Sequence, residues 1–74
     1  MANRKYQHIQ IGTRFVKVGD PYGKVWEVTR LWTTDDGLPH ARLMSEGRER
    51  DTRIMSLSAL ADDRLFLPAP PVPI

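Results

Sequence analysis

Two turn signals in the middle of the chain constrain its fold more than any other feature. Asp35-Asp36-Gly37 and Glu46-Gly47 separate three strand-like runs. Short turns containing glycine between such runs are typical of β-hairpins, because glycine readily adopts the positive φ that tight hairpin loops require. The sequence therefore predicts a three-stranded antiparallel meander between Lys24 and Ile54.

The two turns also predict which residues lie opposite each other. If Gly37 is left-handed at the end of a three-residue loop, the first hairpin has the pairs Thr34–Leu38, Trp32–His40, Leu31–Ala41 and Thr29–Leu43. A two-residue turn at Glu46-Gly47 gives the second hairpin the pairs Leu43–Arg50, Arg42–Asp51, Ala41–Thr52 and Pro39–Ile54. The two registers agree with each other and divide the meander into two faces.

Because successive side chains of a strand point to opposite sides, one predicted face is apolar and the other is basic. The apolar face contains Leu31, Ala41, Leu43, Thr52 and Ile54. The basic face contains Arg30, Trp32, His40, Arg42 and Arg53. Trp32 then has two interpretations: its ring stacks on a nucleic-acid base, or it covers the face by cation–π contact with a neighbouring arginine. The predicted pair of Arg42 with Asp51 partly neutralises the face.

The rest of the chain completes an all-β domain. Strands are predicted over residues 11–18, 24–34 and 64–67, and Trp26 is predicted to be structural, within the core. The apolar positions of the long strand change phase between Val28 and Leu31, which indicates a bend or a bulge. Residues 56–60 predict one turn of 3₁₀ helix, with Leu57 and Leu60 covering an open end.

Three segments are predicted. Residues 1–10 form a flexible N-terminal arm that docks through Tyr6 and Ile9, and residues 11–67 form the domain. Residues 68–74 are rich in proline and form a disordered tail, because proline cannot donate to a sheet.

The order of these elements resembles that of the SH3-like small barrels, a group that includes Tudor and KOW-type domains. The resemblance covers residues 11–67 and implies a five-stranded barrel with a 3₁₀ turn before the last strand. Val16-Lys17-Val18-Gly19, Gly23-Lys24-Val25 and Val28 also resemble part of a KOW segment, whose family binds RNA or ribosomal and transcription partners. This chain has the large residue Trp26 at or near a position where that family uses a small one.

Composition limits the function classes. A chain of 74 residues makes one small domain, which buries only about 60% of the surface that its unfolded form exposes. The net charge is only +2, yet residues 1–30 hold six Lys and Arg against two acids, and residues 31–74 hold five against seven. With no cysteine and no membrane-length apolar run, we expect a cytoplasmic protein that is a monomer or a weak dimer.

No pattern indicates catalysis or metal binding. The two histidines, His8 and His40, have no cysteine partners, and the acids occur as the adjacent turn residues Asp35-Asp36 and Asp62-Asp63. A domain of this size is also expected to lack a substrate-sized pocket of about 300 Å³. The sequence therefore predicts no enzymatic activity, no metal, no cofactor and no small-molecule substrate.

A non-enzymatic binding module is the function that the sequence favours. A protein partner is preferred, because the net charge is modest and acids are interleaved with the basic residues; the contacts would come from the basic face, from Asp20 and Tyr22 in the first loop, or from a strand edge. The alternative is weak RNA or DNA binding through the basic face, assisted by Arg4 and Lys5.

Overall fold

A computed structural model describes residues 6–47 and 50–70 of the chain. The described residues form five strands and one short helix: β1 Arg14–Lys17, β2 Val25–Thr33, β3 Pro39–Ser45, β4 Thr52–Ser56, α1 Leu57–Leu60 and β5 Phe66–Pro68. Arg4, Lys5 and the tail residues 71–74, for which roles were predicted, lie outside the described residues. No helix within these two ranges is long and apolar enough to cross a membrane.

The strands form one antiparallel sheet in the order β4-β3-β2-β1-β5. Strands β4 and β5 are the edges of this sheet, which is open. The predicted all-β class is confirmed. The long strand β2 has the composition expected of a central strand, because all of its nine residues except Glu27 and Arg30 are β-branched, aromatic or aliphatic.

The first hairpin follows the predicted register near its turn. Gly37 has a φ of 82°, and the Thr34 amide donates to the Leu38 carbonyl over 2.9 Å. Trp32 pairs with His40, and Leu31 pairs with Ala41. A residue with a side chain is strained at this φ, so glycine at this one position fixes the turn and thereby the register.

A β-bulge in β2 confirms the break predicted from its change of phase. Leu43 pairs with Val28, whereas the next residue along β3 towards the turn, Arg42, pairs with Arg30. Thr29 is the extra residue, so its predicted pairing with Leu43 is wrong. The extra residue brings Trp26 and Val28 onto the same side of the sheet as Leu31, because it reverses the alternation once.

The second hairpin does not have the predicted register. Ala41 pairs with Met55, three residues beyond the predicted partner Thr52, and Leu43 pairs with Arg53. The turn is longer than the predicted Glu46-Gly47, because Ser45 and Asp51 close it: the Ser45 amide donates to the Asp51 carbonyl and the Asp51 amide donates to the Ser45 hydroxyl, each over 2.8 Å.

A register shift of an odd number of residues exchanges the two faces of a strand. Thr52 and Ile54, predicted to be on the apolar face, lie on the opposite face, and Ile54 is 65% exposed. Met55 takes the inward position instead and packs against the core. Because the same exchange turns the apolar Ile54 outward, the burial gained at Met55 is offset by the burial lost at Ile54.

The turn after β4 is α-helical rather than the predicted 3₁₀. The Ala61 amide donates to the Leu57 carbonyl four residues earlier over 2.9 Å. Ser56 is the N-cap, and its hydroxyl accepts from the Ala59 amide over 3.3 Å. Leu57 and Leu60 are both buried and contact the inner side of the sheet.

The core lies on the concave side of the sheet. It contains Ile9, Phe15, Trp26, Val28, Ala41, Leu43, Leu57, Leu60 and Phe66, with Tyr6, Leu31, Met55 and Ala61 packed against it. The rings of Phe15 and Phe66 meet edge to face with their centroids 6.4 Å apart. Ile9 lies within the predicted N-terminal arm but is only 3% exposed. The predicted segment boundaries otherwise stay predictions.

Candidate functional site

Four of the five residues predicted for the basic face lie together on the convex side of the sheet. We call this set, Arg30, Trp32, His40 and Arg42, the outer arginine face. Arg30 pairs with Arg42 across β2 and β3, and Trp32 pairs with His40. Arg30 and Trp32 are two residues apart in β2 and therefore share a face, and the bulge at Thr29 puts that face opposite to the one that buries Trp26 and Val28.

The rings and cations of the outer arginine face are in contact. The Arg30 guanidinium carbon lies 5.2 Å from the centroid of the Trp32 ring. The Trp32 and His40 rings are stacked, with centroids 6.1 Å apart and planes 27° from parallel. A cation–π contact at an exposed site contributes about 0.5–1 kcal/mol to stability. The contacts thus hold an aromatic surface flanked by positive charge.

Arg53 does not belong to this face, and the prediction that placed it there is wrong. It pairs with Leu43 and therefore lies on the concave side of the sheet. Its guanidinium carbon is 5.3 Å from the centroid of the Trp26 ring. The cause is the shifted register of the second hairpin.

The predicted pair of Arg42 with Asp51 is also absent. Arg42 pairs with Ile54, and the Asp51 carboxylate instead accepts a hydrogen bond from the Lys24 ammonium over 3.0 Å. Among the residues that the structure describes, no acid forms an ion pair with Arg30 or Arg42. The outer arginine face therefore keeps more positive charge than the sequence predicted.

The first loop positions its two candidate residues very differently. The Asp20 carboxylate accepts hydrogen bonds from the amides of Tyr22 and Lys24, over 3.0 and 3.1 Å. Asp20 therefore organises the loop. Tyr22 is 93% exposed and projects from the loop.

A groove with a volume of about 640 Å³ lies beside this loop. It is lined by Lys17, Val18, Gly19, Asp20, Tyr22, Lys24, Trp26, Leu43, Arg53, Met55, Leu65 and Phe66. Strands β4 and β5 are opposite edges of the sheet, yet both contribute to this lining. The sheet is therefore curled, and the groove is the gap left between its two edges.

The expectation that the domain has no substrate-sized pocket is wrong. A chain this short has too few residues to enclose a pocket of that size within its core. A gap between two sheet edges needs no such enclosure, because its floor is the core itself. Trp26, predicted to be a core residue, is 5% exposed and serves both as core and as groove floor.

The groove combines an apolar floor with a mostly positive rim. Lys17 and Arg53 form no ion pair with any residue in the described ranges, whereas Lys24 pairs with Asp51. The Lys24 ammonium also lies 5.4 Å from the centroid of the Trp26 ring. Two cations thus contact the same indole, one from the first loop region and one from β4.

The chain has no match among family models, curated proteins or solved structures. Its function must therefore be argued from the two surfaces themselves.

Of the carboxyl groups with shifted pKa values, Glu46 and Asp62 lie away from both surfaces, whereas Asp36 interacts electrostatically with His40 of the outer arginine face. The pKa of Asp36 is lowered by a hydrogen bond from the Thr34 hydroxyl, that of Glu46 by the Arg14 guanidinium, and that of Asp62 by the Arg64 guanidinium. These groups stabilise turns and strand ends. Within the described ranges no three His, Cys, Asp or Glu side chains form a group that could hold a metal ion.

Sequence reasoning missed the groove because its residues come from five separate parts of the chain. One local signal was available: Val18 precedes the glycine turn Gly19 to Gly23 and Tyr22 lies within it, and exposed apolar or aromatic side chains at a turn indicate a binding surface. Nothing in the sequence indicates that Arg53 joins them, since that depends on the register of the second hairpin.

Proposed function

We propose that this chain is a non-enzymatic binding module with an SH3-like barrel architecture, and that it binds a protein partner through the groove. The strand order, the one-turn helix before β5 and the curl that brings both sheet edges to one groove support this architecture. The cytoplasmic location and the monomeric or weakly dimeric state stay predictions from the sequence.

Exposed apolar side chains that lie beside the cations of the groove rim are the observation that carries this proposal. Tyr22 is 93% exposed, and Val18 and Leu65 are each 43% exposed. Clustered exposed apolar side chains beside a groove mark interaction sites, and an aromatic residue at such a site is the usual anchor of a protein interface. Tyr22 has no packing role that would otherwise explain it.

A photo-crosslinking amino acid at position 22 tests the proposal. Leu38, which is 54% exposed at the opposite hairpin turn and does not line the groove, is the matched control position. We expect a discrete crosslinked protein from position 22 and none from position 38. The partner, once identified by mass spectrometry and purified, should bind Tyr22→Ser at least about tenfold more weakly than wild type, because the anchor is lost.

Equal affinity of the purified partner for Tyr22→Ser and Leu38→Ser would contradict a groove-directed contact. So would crosslinking of the same proteins from both positions, since this indicates non-specific adhesion of exposed apolar residues.

The outer arginine face supports a second candidate function, weak binding of single-stranded nucleic acid. Trp32 is stacked on His40 and contacted by Arg30, and Arg42 lies beside them without an acidic partner in the described ranges. A ring flanked by free cations is the arrangement on which bases stack while the cations meet phosphates.

Titration with a mixed-sequence single-stranded oligonucleotide, followed by amide and indole NMR shifts, tests this candidate. We expect shifts at Arg30, Trp32 and Arg42 that disappear as salt is added. Arg42→Gln should reduce the slope of log affinity against log salt by about one if that arginine meets a phosphate. Arg64→Gln, which removes an exposed arginine away from this face, is the control. Shifts confined to other residues would exclude the outer arginine face.

A further inference from the structure

We infer that the groove takes an extended acidic peptide, one that places carboxylate side chains at Arg53 and at Lys17 and an apolar side chain on the groove floor between them. This inference rests on the proposed function, because it names the chemical class of the protein segment that the groove binds.

The first observation in support of an acidic peptide is the charge of the residues that line the groove. Its ionisable groups are three cations, Lys17, Lys24 and Arg53, and one acid, Asp20. Both carboxylate oxygens of Asp20 already accept backbone hydrogen bonds. The groove therefore presents a positive potential to a ligand, and like-charge contact with a basic segment would be unfavourable.

The second step is the position of the two cations that have no ion-pair partner within the described ranges. Arg53 enters the groove from β4 and Lys17 from the end of β1, on the two sides of the gap. An acidic side chain on either side of the groove therefore meets a cation that has no ion-pair partner within the described ranges. Trp26 backs the Arg53 guanidinium at 5.3 Å, which restricts its motion before binding and reduces the entropy lost when it pairs with a carboxylate.

The third step is the shape and chemistry of the floor. Between the cations lie the apolar side chains of Trp26, Leu43, Met55 and Phe66. Nucleic acid would need a row of cations along its backbone, and its phosphates gain nothing from such a floor. An extended peptide fits better, because its alternate side chains can place an apolar group on the floor and an acid at the rim.

Peptide selection against the purified chain tests the inference. Matched libraries of short peptides share the same randomised apolar positions and differ only in whether the intervening positions hold Asp and Glu, Lys and Arg, or Ser and Gln. We expect binding to be enriched in the acidic library. A peptide selected from it should bind Arg53→Glu at least about tenfold more weakly than wild type, because the variant replaces the attracting charge with a repelling one.

Arg42→Glu is the matched control, since it makes the same change of charge on an exposed strand residue of the opposite face. It should keep most of the affinity. Thermal unfolding of both variants checks that they are folded, and Arg53→Gln serves as the milder change if Arg53→Glu is not. An equal loss in the two charge reversals would overturn the inference, because the effect would then come from net charge.

The outcomes separate this inference from the proposed function. Peptides that bind without preference for acids, yet lose affinity in Tyr22→Ser, overturn the acidic class and leave the groove as a protein-binding site. If no library binds and position 22 gives no specific crosslink, both the acidic-peptide inference and the proposed protein-binding function are overturned.

Discussion

Two tryptophans in this chain differ in surroundings, although both lie in β2. Trp26 is 5% exposed and packs in the core, whereas Trp32 lies on the convex side among polar and charged residues. The sequence predicted this difference correctly, because the two positions have different apolar neighbours. It follows that their contributions to stability should differ as well.

We expect Trp26→Ala to reduce the free energy of unfolding by about 3–5 kcal/mol, since it removes a large buried side chain and leaves a cavity. Trp32→Ala should cost about 1 kcal/mol, the size of the cation–π contact that it loses. Urea unfolding followed by circular dichroism measures both. Global unfolding by Trp32→Ala would show that its ring is part of the core and would remove the outer arginine face as a candidate site.

Asp62 is the residue at which pH dependence is best tested. Its carboxylate accepts three hydrogen bonds from the amide and guanidinium of Arg64, over 2.9, 3.0 and 2.9 Å. These contacts lower the pKa of Asp62 in the folded protein. A carboxyl whose pKa is lowered by folding stabilises the fold above its unfolded pKa, and this contribution is lost as the pH falls through the folded value.

We expect the urea midpoint of the wild type to fall as the pH drops below about 4, where aspartates begin to bind protons. Asp62→Asn should be less stable at neutral pH and should lose less on acidification, because the titrating group is gone. Asp63→Asn removes the neighbouring carboxyl from the same turn and should follow the wild-type pH curve. Identical curves for the two variants would contradict the role assigned to Asp62.

At the scale of elements, the short helix α1 depends on its cap. A single helical turn gains little from its own hydrogen bonds, because nucleation fixes several residues for one bond. Here Ser56 supplies an acceptor for the Ala59 amide, and Leu57 and Leu60 bury one side of the turn against the sheet. The cap and the two leucines together hold the connection between β4 and β5.

We expect Ser56→Ala to reduce the free energy of unfolding by about 1 kcal/mol, the usual value of an N-cap side chain. Ser58→Ala removes a hydroxyl from an exposed position of the same turn and places a strong helix former there, so its effect should be much smaller. Chemical denaturation of both variants makes the comparison. An equal loss in the two variants would mean that the contact between the Ser56 and Ser58 hydroxyls, 3.1 Å apart, stabilises the turn and that the cap does not.

The bulge in β2 determines which side chains of this strand face the core and which lie on the outer arginine face. One extra residue, Thr29, lets Trp26 and Val28 share the concave side with Leu31, and it places Arg30 on the convex side with Trp32 and Arg42. The core and the outer arginine face therefore depend on the same irregularity. It was predictable from the sequence because it appears as a change of phase within one strand.

At the scale of the whole molecule, the curl of the sheet produces the groove. The sheet has only five strands and stays open, so its edges β4 and β5 face each other across a gap whose floor is the core. A small domain thus gains a binding surface without enclosing a cavity. The position of this gap, next to the first loop, brings the exposed Tyr22 to its rim.

The sequence by itself determined the features that depend on local interactions. The strands, the left-handed Gly37, the register near the first turn and the bulge all follow from residues within a few positions of each other, where alternation and glycine conformation act directly. Arg30, Trp32, His40 and Arg42 were grouped correctly for this reason.

Only the tertiary structure decided the second register and the groove. The turn after β3 offers Glu46-Gly47 as a local signal, but hydrogen bonds between Ser45 and Asp51 close a longer turn, and the pairing is shifted by three residues. That shift moves Arg53 from the outer face to the groove. The pairing of β3 with β4 and the lining of the groove both involve residues far apart in the chain. Neither can therefore be read from the alternation of side chains along a single strand.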